Sequence, residues 1–326
     1  MKFKTFLQTA RDFNEREVLL KLHEGISNHY NTNSDVTVEY ELGDEYSPCD
    51  VAIMIGSWKG REKGHHLVRS SVANNAKCFV IVETALLGRQ VIEPNTHYRV
   101  GVNGFLNNSG TFYLGDAEFG NTRVEQLGLK WEGWKFDEEA GHVLLMLQLP
   151  GDASLRGANI YEWAFWAIEK IREKTDRKIV IRPHPLAPYR TGEEFYDFFY
   201  KLHNAKIKNF EFSNPKEITL KKDLNGAWCS VSFSSGSAID SILNGIPVIA
   251  TDPGNFAWDM SVRYPEQITQ TTQRLPEDKT VRQWLNRLSY SQWTTNEMHS
   301  GKVWQHLSPI LDILAVVPES KPRKKK

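Results

Sequence analysis

Long apolar runs are missing from this sequence. No stretch of eighteen or more apolar residues occurs, so no membrane-spanning helix and no membrane partner is expected. The opening segment MKFKTFLQTARDFNE has no extended apolar h-region and does not read as a secretory signal. Cysteine is scarce: Cys49, Cys78 and Cys229 are odd in number and far apart. That excludes a disulfide framework, offers no cluster of metal ligands and fits a reducing cytoplasm. Net charge is absent too, with 40 basic residues against 40 acidic ones. Missing motifs exclude further classes. No G-x-G-x-x-G follows the first strand-like runs, and no G-x-x-x-x-G-K-[ST] occurs, which argues against a standard dinucleotide fold and a P-loop. No G-x-S-x-G elbow surrounds Ser234 or Ser235, which argues against a hydrolase.

The neutral total hides an asymmetry. Five of the last six residues, KPRKKK at 321–326, are basic, and taking those five from 40 leaves 35 against 40 acidic residues. The body is mildly acidic and the tail is a separate feature. It is either a solvated end or an arm for a polyanion such as DNA.

A chain of 326 residues is long enough for two domains. REVLLKLHEGISNHY has the three-to-four apolar spacing of an amphipathic helix, and VTVEYEL alternates like a strand. CDVAIMIGSW and AKCFVIVETALLG are short continuous apolar runs flanking a helical HHLVRSSVAN. That is a β–α–β rhythm with buried, parallel strands. A second series runs from HVLLMLQLPGD through NIYEWAFWAIEKIREKT, KIVIRP, EEFYDFFYKLHNA, WCSVSFSS and SAIDSILNG to IPVIATD. The expected fold is α/β, with two doubly wound Rossmann-like domains facing a cleft. Residues 1–141 form the first, 142–315 the second with C-terminal helices, and 316–326 the basic tail.

Open α/β sheets bind ligands at the carboxyl ends of their strands. Three such ends in the second series carry polar or glycine-rich turns: QLPGDASLRG, RPHPLAPYR and SFSSGSAIDS. In the third, Ser234, Ser235, Gly236 and Ser237 stand before a helix, where they either cap it or expose N–H groups to a phosphate. Asp240 follows in the helix and complements either the helix dipole or a ribose. In the second, two prolines flank His184 at a strand end. Neither has an N–H to give, so the backbone is fixed and the imidazole is held with little freedom to lose. Arg182 adds a cation beside it.

RPHP followed about fifty residues later by SFSSGSAIDSILNGIPVIATDPGN resembles the nucleotide-sugar half of GT-B glycosyltransferases, in particular the donor domain of capsule-polysaccharide-type transferases. The likeness covers roughly residues 144–260, and QLPGDASLRG is similar to the interdomain glycine-rich loop of that group. It implies a nucleotide-sugar co-substrate, a UDP-sugar first. Gly151, Asp152, Ser154, Arg156, Arg182, His184, Ser234, Ser235, Gly236 and Ser237 would lie against the donor, and Asp240, usually a glutamate there, against its ribose. No D-x-D element sits at a strand end, so no obligatory metal is expected.

CFVIVETALLGR is similar to a segment of the β-glucosyltransferases of T-even phages, in which a strand ends in an acidic catalytic base. Glu83 takes that position here, with Asp116 and Glu118 as fallback bases. A partly desolvated carboxylate suits removal of an acceptor proton, although a surface ion pair explains Glu83 as well. GSWKGREKGHH (56–66) and LKWEGWK (129–135) interleave tryptophan with basic residues, a pattern that holds phosphates and stacks on a splayed base or on a sugar. Trp58, Lys59, Arg61, Lys63, Arg89, Lys324 and Lys325 are the residues expected at the acceptor. These features point to transfer of a sugar to a hydroxymethylated base in phage DNA by a cytoplasmic monomer. A glycan-acceptor transferase, a non-catalytic nucleotide-binding module and a nucleotide-sugar epimerase are the rivals.

Overall fold

The computed structural model describes residues 1–31, 33, 35–56, 64–89, 92–93, 95–114, 119–187 and 192–315. The chain forms two compact units. The first takes Met1–Phe105, Ser109–Arg123 and the residues from Asn286 on; the second takes Leu106–Asn108 and Val124–Leu285.

β1 (Lys2–Phe6) turns through a 3-10 segment, Leu7–Thr9, towards α1 (Phe13–Tyr30). Asp12 caps α1 by accepting from the Glu15 N–H, and Val18, Leu19, Leu22, Gly25 and Ile26 recur at the spacing that buries one face. β2 (Thr37–Glu41) is an edge strand, and its exposed Glu39 guards that edge. β3 (Val51–Ile55), α2 (Gly64–Asn75) and β4 (Cys78–Thr84) make the expected β–α–β unit, parallel to one another and to β1. β5 (His97–Val102) runs antiparallel to β4. The passage into the second unit falls within α3 (Thr122–Gln126).

The second unit is built in strict alternation. β6 (His142–Met146), α4 (Ile160–Arg172), β7 (Ile179–Arg182), α5 (Glu193–Asn204) and β8 (Phe210–Phe212) come first. α6 (Leu220–Leu224), β9 (Ala227–Ser232), α7 (Ser237–Leu243) and β10 (Val248–Ala250) follow. All neighbouring strands are parallel, in the order β10-β9-β6-β7-β8. Every residue of β7, β9 and β10 is buried, as expected of strands covered on both faces. The core joins Val143, Leu145, Ile179, Ile181 and Val231 to Trp163, Ile168 and Ile171 of α4.

The chain then leaves through α8 (Asp278–Ser289) and completes the first unit. β11 (Gln292–Thr294) pairs antiparallel with β5, making the sheet order β11-β5-β4-β3-β1-β2. α9 (Thr295–His299) and α10 (Lys302–Ala315) pack on α1. A Cβ at Gly25 would collide with the Met298 carbonyl, so the glycine is what lets α9 close on α1. Trp304 is fully buried and donates its Nε1–H to the Leu22 carbonyl at 2.8 Å. Two expectations are thereby corrected. The main passage between units lies at 123–124 instead of 141, and the C-terminal helices belong to the first unit, because their apolar faces complete its core. Among the described residues no helix is long and apolar enough to cross a membrane.

Candidate functional site

In the second unit the chain moves outward from β6 through β7 and β8, then returns to the other side of β6 as β9 and β10. Strand order therefore reverses between β6 and β9, the place where open α/β sheets form a ligand crevice. The register sets Met146 beside both Ser232 and Arg182, so the three strands end level. The segments leaving them are 147–157, 183–187 and 233–236, the three turns singled out in the sequence.

One side chain joins two of these turns. Gln148, two residues beyond β6, is 6% exposed. Its Nε2 donates to Ser154 Oγ at 2.6 Å and to Ser234 Oγ at 3.1 Å, and its Oε1 accepts the Ser234 N–H at 2.9 Å. Ser154 Oγ donates to Asp152 Oδ1 at 2.6 Å, and Ser234 Oγ donates to the Ser154 carbonyl at 2.9 Å. Gly151 turns the loop at φ 69°, where a side chain would be strained. Arg156 also takes the left-handed region, at φ 51°. Its guanidinium pairs with the buried Asp252 and donates to Asn108 Oδ1 at 3.2 Å. Asn255 ties in a fourth loop: fully buried, it donates to Ser232 Oγ and the Phe233 carbonyl, each at 3.0 Å.

The other expected donor residues divide in two. Ser235 and Ser237 share a hydroxyl–hydroxyl bond of 2.7 Å at the start of α7, and both are half-buried. Gly236 is the N-cap of α7 in an ordinary right-handed conformation, and Ser235 Oγ just before it accepts the Ser237 N–H at 3.3 Å. Asp240 lies in the first turn of α7. His184 Nδ1 accepts the Leu186 N–H at 3.1 Å, which leaves the neutral ring's proton on Nε2, a donor. Arg182 sits apart from this set. It is buried on β7, pairs with Asp223 and donates to the Ile218 carbonyl at 2.9 Å, while Ser213 Oγ donates to the same carboxylate at 2.6 Å. Its charge is engaged in holding α6 to β7, so the residue beside His184 in sequence acts in the framework.

In the first unit Glu83 is the penultimate residue of β4, half-buried, with Arg99 as its cross-strand partner. Directly opposed residues share a sheet face, so carboxylate and guanidinium lie on one side. The Glu83 charge also acts on Arg11 and Arg69. Hydrogen bonding to Glu15 raises Arg11 above its ordinary value; burial lowers Arg69. Arg69 donates to the Thr9 carbonyl, and Thr9 Oγ1 accepts the Ile55 N–H at 3.2 Å. Three arginines that carried no signal in the sequence are thus coupled to the expected base, Arg99 across the strand pair and Arg11 and Arg69 through its charge.

Several expected acceptor residues fall elsewhere. Trp58, Lys59, Arg61, Lys63, Lys324 and Lys325, and the fallback bases Asp116 and Glu118, lie outside the described residues. Arg89 is exposed and donates to the Ala85 carbonyl. The LKWEGWK segment is no stacking platform. Trp131 is 2% exposed, edge-on to Trp134 at 4.9 Å, and both pack with Ala238, Ile242 and Val248.

The sequence matches no protein-family profile and no curated protein. Solved structures do show likenesses. The β-Kdo 2,7 transferase KpsC of Thermosulfurimonas dismutans is 11% identical with a TM-score of 0.51, over 93% of this chain and 100% of that one. The UDP-GlcNAc 2-epimerase of Methanocaldococcus jannaschii, solved with UDP-GlcNAc and UDP, is 13% identical with a TM-score of 0.36, over 95% and 100%. What the likeness to KpsC establishes is the fold: this chain shares the α/β fold of that structure.

Proposed function

We propose that this chain transfers a glycosyl group from a nucleotide-sugar to an acceptor hydroxyl. One observation carries the reading. The three turns that resemble a donor site in sequence leave three adjacent parallel strands at the strand-order reversal of the second unit, and Gln148 ties two of them together. In this reading His184 Nε2–H and the Ser235 and Ser237 groups face the donor phosphates, and Asp240 faces the ribose. In the reaction the bond from the anomeric carbon to the phosphate oxygen breaks, and the nucleotide leaves with the electron pair. The acceptor oxygen bonds to that carbon and gives its proton to Glu83. Hydrogen-bond donors already in place at the phosphates stabilise the charge that grows there.

The carrier to test first is UDP. For the acceptor we propose a hydroxymethylated base in DNA, supported by the basic WKGREK segment and the KPRKKK tail. The deciding experiment is a mass-spectrometric screen of nucleotide-sugars against DNA containing hydroxymethylcytosine, unmodified DNA and capsule-type oligosaccharides. A mass gain on hydroxymethylated DNA alone supports the DNA acceptor, and a gain on the oligosaccharide alone replaces it. A nucleotide bound without turnover would make the chain a binding module. Deleting 321–326 should weaken DNA binding and flatten its salt dependence, by about one unit of log–log slope for each phosphate that the tail neutralises. Equal affinities of the two proteins at two salt concentrations would reduce the tail to a solvated end.

A further inference from the structure

We infer that Gln148 is the positioning residue of the donor site. Its carboxamide sets the loop after β6 and the turn after β9 as one unit, and Ser154 and Ser234 hold those loops together instead of holding the donor. The inference rests on the nucleotide-sugar reading for its ligand, and on hydrogen-bond direction for its mechanism.

A carboxamide donates at one end and accepts at the other. The Ser234 N–H can only donate, so it fixes Oε1 on its side at 2.9 Å and turns Nε2 towards Ser154 and Ser234 Oγ. Ser154 Oγ has one proton and gives it to Asp152 Oδ1 at 2.6 Å. The relay therefore runs one way, from Gln148 through Ser154 to Asp152. Ser234 Oγ gives its own proton to the Ser154 carbonyl. Both serine hydroxyl protons are thus engaged inside the ring that locks the two loops. The next residues along, Ser235 and Ser237, sit at the start of α7 just beyond the locked turn. A site that binds phosphate through such small groups gains from having them fixed before the ligand arrives.

Direction makes the inference testable. Gln148→Glu keeps the shape but puts carboxylates on both sides of the Ser154 hydroxyl, which has one proton for two acceptors. Gln148→Glu with Asp152→Asn reverses the relay: the new amide donates to Ser154, and Ser154 donates to the new carboxylate. The experiment uses the full chain and two measurements. Amide hydrogen exchange without ligand reports the order of 149–157 and 233–237, and calorimetry with UDP reports the site. Gln148→Glu should lose about tenfold in exchange protection in both segments and about tenfold in UDP affinity, the worth of one or two buried hydrogen bonds. The swapped pair should recover part of the loss on both measurements, because the Ser154 relay re-forms in reverse while the Nε2–Ser234 Oγ bond has no counterpart and the Ser154 N–H must share residue 152 with the new amide. If Gln148→Glu does not fold, Gln148→Met, near in volume and unable to donate or accept here, takes its place with the same expected losses. Unchanged protection in the single variant, or a swapped pair no better than the single one, overturns the inference. If wild type binds neither UDP nor another nucleoside diphosphate, the donor reading fails, while the exchange arm still decides whether Gln148 locks the loops.

Discussion

His184 and Gln148 carry most of the proposed donor site, and they were unequally legible. A histidine between two prolines at a strand end is a local pattern, and the structure places it at the carboxyl end of β7 with its Nε2 as a donor. A glutamine after an apolar strand carries no such mark. Its partners are 6 and 86 residues away, so only the folded chain reveals the ring. Arg182 failed in the opposite way. Its place in RPHP suggested the ligand, but strand alternation turns it towards Asp223. At this scale we expect His184→Ala to weaken UDP binding by about 1.5–3 kcal/mol, the worth of a charge-assisted hydrogen bond. Calorimetry on a folded variant checks it, and unchanged affinity removes His184 from the phosphates. For Glu83→Gln we expect a single-turnover transfer rate about a hundred- to ten-thousand-fold lower with UDP affinity intact. A rate within a few-fold of wild type would exclude Glu83 as the base.

Among the elements, those with a long periodic or continuous apolar pattern were readable, and α1, β3, β4, β6, α4 and β9 stand where the sequence places them. The short or mixed ones were not. KFKTF drew no strand reading and becomes one by pairing with β2 and β3, and QWT is a strand only because β5 offers an edge. The segment around β11 shows how such an element is held. Arg123 lies 4.1 Å from the Trp293 ring and pairs with Glu297 at 2.5 Å, while Glu297 closes a capping box with Thr294 at the start of α9. Burial alone would raise the Glu297 carboxyl. The Arg123 and Thr294 hydrogen bonds outweigh it and hold the group below its ordinary value. A lowered carboxyl stabilises the fold above its unfolded-state pKa of about 4.3 and loses that contribution as pH falls through the folded-state value. Glu297→Gln should therefore destabilise the first unit by about 2 kcal/mol at pH 7, less than the loss of a fully buried ion partner, and flatten the acid limb below about pH 4.3. Urea unfolding at pH 7 and pH 3.5 is the check; an equal loss at both would mean that the carboxylate's charge contributes nothing.

For the whole molecule, the alternation of strands and helices made the two-unit α/β fold readable, but the path of the chain between units was not. Nothing local in QWTTNEMHSGKVWQHLSPILDILA says that it returns to the first unit, since an amphipathic helix does not name its partner. The partner is set by fit: Gly25 admits the Met298 carbonyl, Trp304 meets Phe3 edge-on at 5.4 Å, and Leu307, Ile310 and Leu311 complete the cluster begun by Leu19, Leu22 and Ile26. This gives the C-terminal segment a role that its position alone would not suggest. Removing a buried tryptophan or leucine side chain costs about 2–5 kcal/mol, and a domain is stable by only about 5–15 kcal/mol. Truncation after Leu285 removes Trp293, Met298, Val303, Trp304, Leu307, Ile310 and Leu311 from one core together. We expect the truncated chain to lose exchange protection throughout β1, β3 and β4 while β6, β7 and β9, whose core lies within 143–268, keep theirs. Trp304→Ala is the milder form of the same test and should lower only the first unit's stability, by about 3–5 kcal/mol. A truncated chain with β1, β3 and β4 still protected would show that residues 1–123 fold without their C-terminal partner.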